Sequence, residues 1–503
     1  MGGRTDKKLS SFENPTYDAE SLRSAGRNIK VPFQLPLKVR GVEEKLICHE
    51  ILRNLPGKRL VCFGKIEEND FVVAKIFLDR SRGRRHFHRE LRGVRALEAA
   101  CIPTPKLLCQ GTLVDGRTHF LLTRKIEGAK DLKQHLCDHP SGSNLMDSLT
   151  AVVVAIATLH DKGLSQRDIH PGNFLLKNEL VHIIDGADVR QHRSVPLSAR
   201  PSIDNLGFFL SQFQSQSEAH FRELMAIYCR HRNWFLTPGL EKKVLKAIRR
   251  CIWQREKKFL SKTLRSSTAF VAVRTWKHRS VCKRDWYCPS MQRLIATPEA
   301  AIADGTILKA GNTATVAKVD LQGRSIVVKR YNIKNGLHAF SRAFRSTRAI
   351  ISWRNANRLT LHKISTPEPI AIIEKRWGPV RRQSYFICRY IPGEPISDAI
   401  KKRREDSVQP MQYLEGLLKL LKQLHKHRLS HGDLKASNLI LYKGRLQIID
   451  LDGMKKYLCL PLFERAFHRD MHRLVRNWEH DSIFTNILSN HIRHFLSDFD
   501  SDV

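Results

Sequence analysis

The sequence predicts an α+β protein made of two tandem two-lobed units, and three observations carry that expectation. One constellation occurs twice: Gln166-Arg-Asp-Ile-His-Pro-Gly-Asn173 with Val181-His-Ile-Ile-Asp185, and His431-Gly-Asp-Leu-Lys-Ala-Ser-Asn438 with Leu446-Gln-Ile-Ile-Asp450. The copies hold one register well outside the motif: 433 − 168, 393 − 128 and 425 − 160 all equal 265. Such constant spacing marks two homologous folding units. Within each copy strand-like stretches come first and helical stretches after, with the acidic cluster between them. That order places a ligand cleft between two lobes. A chain of 503 residues is also too long for one ordinary core.

Residues 1–40 read as a disordered or extended tail, polar and charged, with no apolar stretch of a secretory signal. The first unit is expected over 41–288, with an N-lobe over about 41–127 and a C-lobe over about 128–288. Its strands are Arg59 to Lys65 and Phe71 to Phe77, the second carrying one inward lysine, Lys75. A basic helical stretch, a turn at Pro103-Thr-Pro105 and a strand over Thr118–Thr123 lead to a hinge at Ile126-Glu-Gly128. The second unit is expected over 289–503, with an N-lobe over about 300–392 and a shortened C-lobe over about 393–500. It repeats the order: Thr315–Val319, Ile326–Tyr331 with Lys329, the Thr366-Pro367-Glu-Pro369 turn, Ser384–Tyr390, and a hinge at Ile391-Pro-Gly393.

The doubled residues are the sparse equipment of phosphoryl transfer. Asp168 and Asp433 are the candidate catalytic carboxylates, each orienting an acceptor hydroxyl and taking its proton. Asn173 with Asp185, and Asn438 with Asp450, offer the oxygen ligands that Mg²⁺ shares with phosphates. Lys75 and Lys329 would neutralise the α- and β-phosphates of ATP. One such Asp alone would be read as a turn or a helix cap. Lys, Asp, Asn and Asp in that order, twice, is a different matter.

Composition narrows the partners. The net charge is +38, from 87 Lys+Arg against 49 Asp+Glu, which suits an anionic membrane surface, a phosphate-rich substrate or nucleic acid. No basic, aromatic-interleaved platform, helix-turn-helix or zinc finger is present, so nucleic acid is the lesser expectation, though charge does not exclude it. No apolar run reaches the roughly 18 residues of a membrane span. The eleven cysteines show no zinc-like spacing and read as reduced thiols.

Both halves resemble the protein-kinase-like superfamily, and in detail the lipopolysaccharide core kinases (the InaA/WaaP-like family). The first half supplies Arg89-Glu-Leu-Arg-Gly-Val-Arg-Ala-Leu-Glu-Ala-Ala-Cys-Ile-Pro-Thr-Pro105 and the Gln166–Leu176 segment. The second supplies Ser352-Trp-Arg-Asn-Ala-Asn-Arg-Leu359, the His431–Leu439 segment and Ile448-Ile-Asp-Leu-Asp-Gly-Met454. The resemblance implies an ATP- and Mg²⁺-dependent kinase acting on a sugar hydroxyl (heptose or Kdo) of lipopolysaccharide core. It implies a cytoplasmic protein working peripherally at the inner face of the cytoplasmic membrane, with an anionic lipid A-core substrate. It also implies that Glu90, rather than Glu98, pairs with Lys75, and that Asp204 and Asp470 brace the two catalytic loops.

The pattern departs from the family in places. No acidic residue lies between Lys329 and Thr366, so the second copy lacks a helix carboxylate for its lysine and is the expected inactive half. Gln166 stands where His is usual. Gly57 and Gly64 form no glycine-rich phosphate loop, and Gly311 is the one glycine of the corresponding Gly311-Asn-Thr-Ala-Thr-Val stretch. Asp452 competes with Asp450 for the metal. No Ala-Pro-Glu element follows either metal Asp, which points away from protein substrates, and Gly432 replaces the Arg that would read a phosphorylated activation loop, which points away from such control in the second copy. The alternatives are a kinase for a soluble sugar or aminoglycoside, a pseudokinase-type scaffold, and a nucleic-acid-linked kinase.

Overall fold

The computed structural model describes residues 14–66, 70–138, 143–178, 180–213, 218–332, 346–378, 380–402 and 409–476, with single positions at 486, 489, 490 and 493. Residues 1–13 of the expected tail, 333–345 of the basic stretch after Lys329, and most of the chain beyond 476 lie outside the described residues. The chain divides into two compact units of mixed helix and sheet, Met1–Trp253 and Gln254–Val503.

The first unit opens with α1 (Ala19–Ala25), capped by the Asp18 side chain, and β1 (Phe33–Val39). β2 (Val42–Leu55), β3 (Arg59–Ile66), β4 (Asp70–Phe77), α2 (Gly83–Ala99), β5 (Leu107–Leu113) and β6 (His119–Arg124) follow. The strands close into a barrel in the order β1-β2-β3-β4-β6-β5. The expected 1–40 tail is therefore structured from α1 onward. Phe33, Leu35 and Leu37 alternate inward and are buried, and β1 pairs with both β2 and β5. A period-two apolar pattern sits inside a polar segment whose average composition hides it. On β4 the same alternation sends Val72, Ala74 and Ile76 into the barrel and leaves Lys75 on the outer face beneath α2. Gly64 belongs to this packing: a Cβ there would lie 2.2 Å from the Ile47 carbonyl oxygen, beside a bulge at Cys48–Glu50.

The remainder of the unit is helical, with short strands that carry the motif. In order these are β7 (Lys130–Asp131), α3 (Leu132–Asp138), α4 (Ser143–Asp161), β8 (Leu164–Gln166), β9 (Phe174–Lys177), β10 (Leu180–Ile183), β11 (Val189–Gln191), α5 (Ala199–Leu210) and α6 (Glu218–His231). Their core gathers Leu149, Val152, Ile156, Ile169, Phe174 and Phe209. The loop between β8 and β9 and the turn after β10 hold the candidate residues. α7 (Pro238–Lys262) runs across the division between the units.

In the second unit β12 (Phe270–Arg274) and β13 (His278–Lys283) precede α8 (Pro289–Ala296), α9 (Pro298–Ala303), β14 (Thr306–Ala310), β15 (Ala314–Leu321) and β16 (Arg324–Tyr331). Next come α10 (Arg348–Leu361), β17 (Pro369–Trp377) and β18 (Val380–Arg389). These strands form one seven-stranded sheet, β12-β13-β17-β18-β16-β15-β14. The boundary expected at 288/289 thus falls too late: β13 pairs with β17, which assigns 270–283 to the second sheet. In sequence those residues fall inside the 41–288 expected for the first unit, because strand partners distant along the chain leave no local signal. The helical part comprises β19 (Glu394–Pro395), α11 (Ile396–Lys402), α12 (Gln409–Lys426), β20 (Leu429–Ser430), β21 (Leu439–Tyr442), β22 (Arg445–Ile448), β23 (Lys455–Lys456) and α13 (Leu460–Arg476).

One buried group makes stability depend on pH. His160, near the end of α4, is fully buried, with Nδ1 2.7 Å from the Tyr228 hydroxyl and Nε2 3.0 Å from Asn205 Oδ1. Burial lowers its pKa from 6.5 to about 4. The native state then binds fewer protons than the unfolded chain. Stabilisation is complete above pH 6.5 and is lost as pH falls toward 4, by roughly 3 kcal/mol. Denaturant midpoints of the first unit across that window should fall in the wild type and fall less in His160→Gln. Equal slopes would contradict the assignment.

Candidate active site

The structure brings Lys75, Glu90 and Asp185 together. Lys75 Nζ ion-pairs with Glu90 Oε1, and Glu90 is 0% exposed. The same carboxylate accepts the Gly186 N–H at 3.1 Å and the Ala187 N–H at 3.2 Å. Glu90 therefore ties the strand lysine and the turn after Asp185 to one helix. The approach is close: a Cβ on Gly93 would lie 1.8 Å from the Gly186 carbonyl oxygen, so glycine is required where α2 crosses this turn. Glu98 instead accepts from Leu107 N at 2.9 Å. Asp185 has a left-handed backbone (φ 68°), a strained conformation for a residue with a Cβ. Its Oδ1 is buried without a hydrogen-bond partner. Burial acts to raise its pKa, but Lys75 and then Arg59 more than offset it, holding the carboxyl below its usual range.

Asp168 is exposed on the loop after β8. Asn173 Nδ2 donates to the Asp168 carbonyl at 2.7 Å, which leaves the amide oxygen of this buried side chain for a ligand. Gln166 Nε2 donates to Ile184 O at 2.7 Å. His431 makes the same contact in the second unit, to Ile449 O at 2.9 Å. Both pairs keep the offset of 265, so Gln replaces His without losing the link. Asp204 does not brace the loop: it is half exposed and ion-pairs with Arg250. Its neighbour Asn205 does so, donating Nδ2 to Gln166 O at 2.7 Å. Position 205 is also where the repeat puts it, since 470 − 205 = 265.

In the second unit Asp470 is buried and accepts from Ser430 Oγ and His431 N, each at 2.7 Å, and from Gly432 N at 3.1 Å. Asn438 Nδ2 donates to Asp433 O at 2.9 Å, as its counterpart does. Asp433 also lies 3.1 Å from Lys435 Nζ. Asp450 repeats the left-handed backbone of Asp185, with φ 60°. The charges differ. Lys329 Nζ pairs with Asp450 Oδ1 at 2.5 Å, and Arg348 on α10 pairs with Asp452. Burial opposes ionisation of Asp450, yet Lys329 overrides it and lowers the pKa to about 2. Burial wins at Asp452, whose pKa is raised. The missing helix acid is replaced by Asn355, which donates Nδ2 to Leu451 O at 2.8 Å and Met454 O at 2.9 Å. Here too 355 − 90 = 265. The amide holds the same turn through carbonyls and carries no charge to pair with the lysine. Gly311 lies in the turn after β14, where a Cβ would meet Ala314 O at 3.4 Å, so nothing in the backbone demands glycine.

A cavity of about 410 Å³ opens at Ile126 and Glu127 of the first unit, lined also by Phe71, Lys106, Lys177 and His182. None of Lys75, Asp168, Asn173 or Asp185 lines it. Among the described residues no group of three or more His, Cys, Asp or Glu forms a metal site.

A lysine tied to a helix acid, an exposed loop carboxylate and an Asn/Asp pair are the working parts of a phosphotransferase. The chain matches the lipopolysaccharide kinase (Kdo/WaaP) family over residues 72–194 and 301–493, and it belongs to that family. It is 32% identical over 78 residues to the probable serine/threonine-protein kinase YbdM of Bacillus subtilis (strain 168). That match covers 15% of this chain and 30% of the relative, so the chain spans under a third of the relative's length. A point mutant of the PknI kinase domain of Mycobacterium tuberculosis aligns with TM-score 0.24 at 15% identity, over 33% of this chain and 70% of that chain. No helix among the described residues is long and apolar enough to cross a membrane.

Proposed function

We propose that the chain is an ATP- and Mg²⁺-dependent kinase of two tandem bilobal protein-kinase-like domains, phosphorylating a sugar hydroxyl of lipopolysaccharide core at the cytoplasmic membrane face. The observation that carries the reading is the bridging of Lys75 and the Gly186–Ala187 turn by buried Glu90. It favours the first unit as the catalytic one. Asp168 would orient the acceptor hydroxyl and take its proton as that oxygen bonds to the γ-phosphorus and the β–γ bridging oxygen leaves. Lys75 would neutralise the α- and β-phosphates. The buried, unpartnered Asp185 Oδ1 and the free amide oxygen of Asn173 fit a hard divalent cation. Bound there, Mg²⁺ supplies neutralisation of the phosphate charge.

In the second unit, Lys329 and Arg348 already neutralise Asp450 and Asp452. Nucleotide would have to displace a protein ion pair, which favours a substrate-holding or weakly active role for Asp433, Asn438 and Asp450. The +38 charge suits an anionic core and the membrane leaflet that holds it. Transfer of labelled γ-phosphate to an acceptor panel tests the reading. Core oligosaccharide should be labelled, with soluble hexoses, aminoglycosides and a generic protein left unlabelled. Labelling of any of those three in preference to core would overturn it.

A further inference from the structure

We infer that two adjacent hairpin tips on the second unit's sheet form a surface that docks on an anionic lipid bilayer, with Trp276 and Trp377 entering the interface and Arg274, Lys277 and Arg382 facing the headgroups. The inference rests on the membrane-held acceptor proposed above and names the surface that would meet the membrane.

The two tips are neighbours by register. β13 runs antiparallel to β17, with His278 opposite Lys375, so the β12–β13 turn and the β17–β18 turn lie side by side at one end of the sheet. Backbone hydrogen bonds tie them: Arg376 N donates to Lys277 O at 2.8 Å and Gly378 N to Trp276 O at 3.1 Å. Gly378 has φ 56°, and a Cβ there would lie 2.7 Å from the Trp276 ring. The tryptophan is thus seated against the second turn and held in place, yet Trp276 remains 67% exposed and Trp377 68% exposed. Two large aromatics offered to water on neighbouring turns are costly unless something covers them. An indole ring with an apolar body and one N–H suits the headgroup level of a bilayer.

Charge selects the kind of bilayer. Across residues 270–283 and 369–390 the one acidic residue is Glu374. It is buried and accepts from Thr347 Oγ1 at 2.6 Å, so it does not face outward. Arg274, Lys277 and Arg382 are exposed on or next to the same two turns. Cation crowding is tangible beneath them: burial, and then Arg274, Arg376 and Arg381, bring the Arg279 guanidinium below its usual pKa despite Glu374. Exposed aromatics and cations together on two neighbouring turns match an anionic lipid surface. A single-stranded nucleic acid would call for aromatics spaced along a basic groove. The register also sets orientation. Ala314 lies opposite Tyr331, Tyr331 opposite Ser384, and Ser384 opposite Glu374. The Gly311 turn therefore shares the tryptophans' end of the sheet.

The test is co-sedimentation of the full chain, without ATP or core oligosaccharide, with phosphatidylcholine vesicles and with vesicles of about one-third phosphatidylglycerol. Binding is expected to the anionic vesicles alone. Trp276→Ser with Trp377→Ser should weaken it about tenfold or more, and Lys277→Ser with Arg382→Ser by about fivefold per charge. Trp276→Tyr with Trp377→Tyr, which keeps amphipathic rings, should retain most of it. Brominated lipid should quench tryptophan fluorescence in the wild type and not in the serine pair. Equal binding to neutral vesicles, equal binding by the serine pair, or tighter retention on single-stranded RNA that the same variants abolish would each overturn the inference. Because no acceptor or nucleotide is present, failure here leaves the transferase reading standing. Loss of transfer with vesicle binding intact would do the reverse.

Discussion

Asp168→Asn is expected to lower the turnover number about a thousandfold while leaving ATP affinity within about threefold. The side chain is exposed and makes no contact that holds the loop. The loop contact runs through the Asp168 backbone carbonyl, which accepts from Asn173 Nδ2 at 2.7 Å and which Asn preserves. The substitution thus removes a proton acceptor and an orienting charge without dismantling the Asn173–Asp185 pair. Steady-state turnover with core oligosaccharide, beside nucleotide binding followed by thermal shift, separates the two effects. A drop of less than about tenfold would remove Asp168 from the chemistry.

Glu90→Ala is expected to destabilise the first unit by about 3–5 kcal/mol and to abolish transfer. The carboxylate is fully buried and serves Lys75, Gly186 N and Ala187 N together. Its loss strands a partly buried ammonium and two backbone donors. Lys75→Met combined with Glu90→Met removes both charges, and buried pairs are often replaceable by apolar side chains. Here the recovery should be partial, because the two N–H groups still lack an acceptor. Urea titrations of the single and double variants check this. A loss below about 1 kcal/mol for Glu90→Ala would mean that the bridge holds nothing.

Much of the site was legible because the chain states it twice. The offset of 265 located Asp168, Asn173, Asp185 and their second copies, and the structure places each set on matching loops. The same offset also pointed to Asn205 and Asn355. Residue type obscures both: an acid is the expected residue at each place, and Asp204 stands one residue away. An amide can do the carboxylate's work with reversed polarity, donating to carbonyls where the acid accepts from N–H groups. Pairing of Lys329 with Asp450 could not be read from sequence, because it depends on which charge is left free once Asn355 takes the helix position. The strands β1, β12 and β13 escaped for another reason. Short apolar alternations in polar or basic surroundings gain their stability from partners far along the chain.

Of the two homologous sites, the first is proposed to carry the transfer. Mass spectrometry of core oligosaccharide treated with ATP and the intact chain, or with its Asp433→Asn variant, tests it most directly. A gain of one phosphate is expected with both proteins, because Asp433 holds the acceptor at most and does not take its proton. Loss of that phosphate in Asp433→Asn, with Lys75, Glu90, Asp168, Asn173 and Asp185 intact, would contradict it.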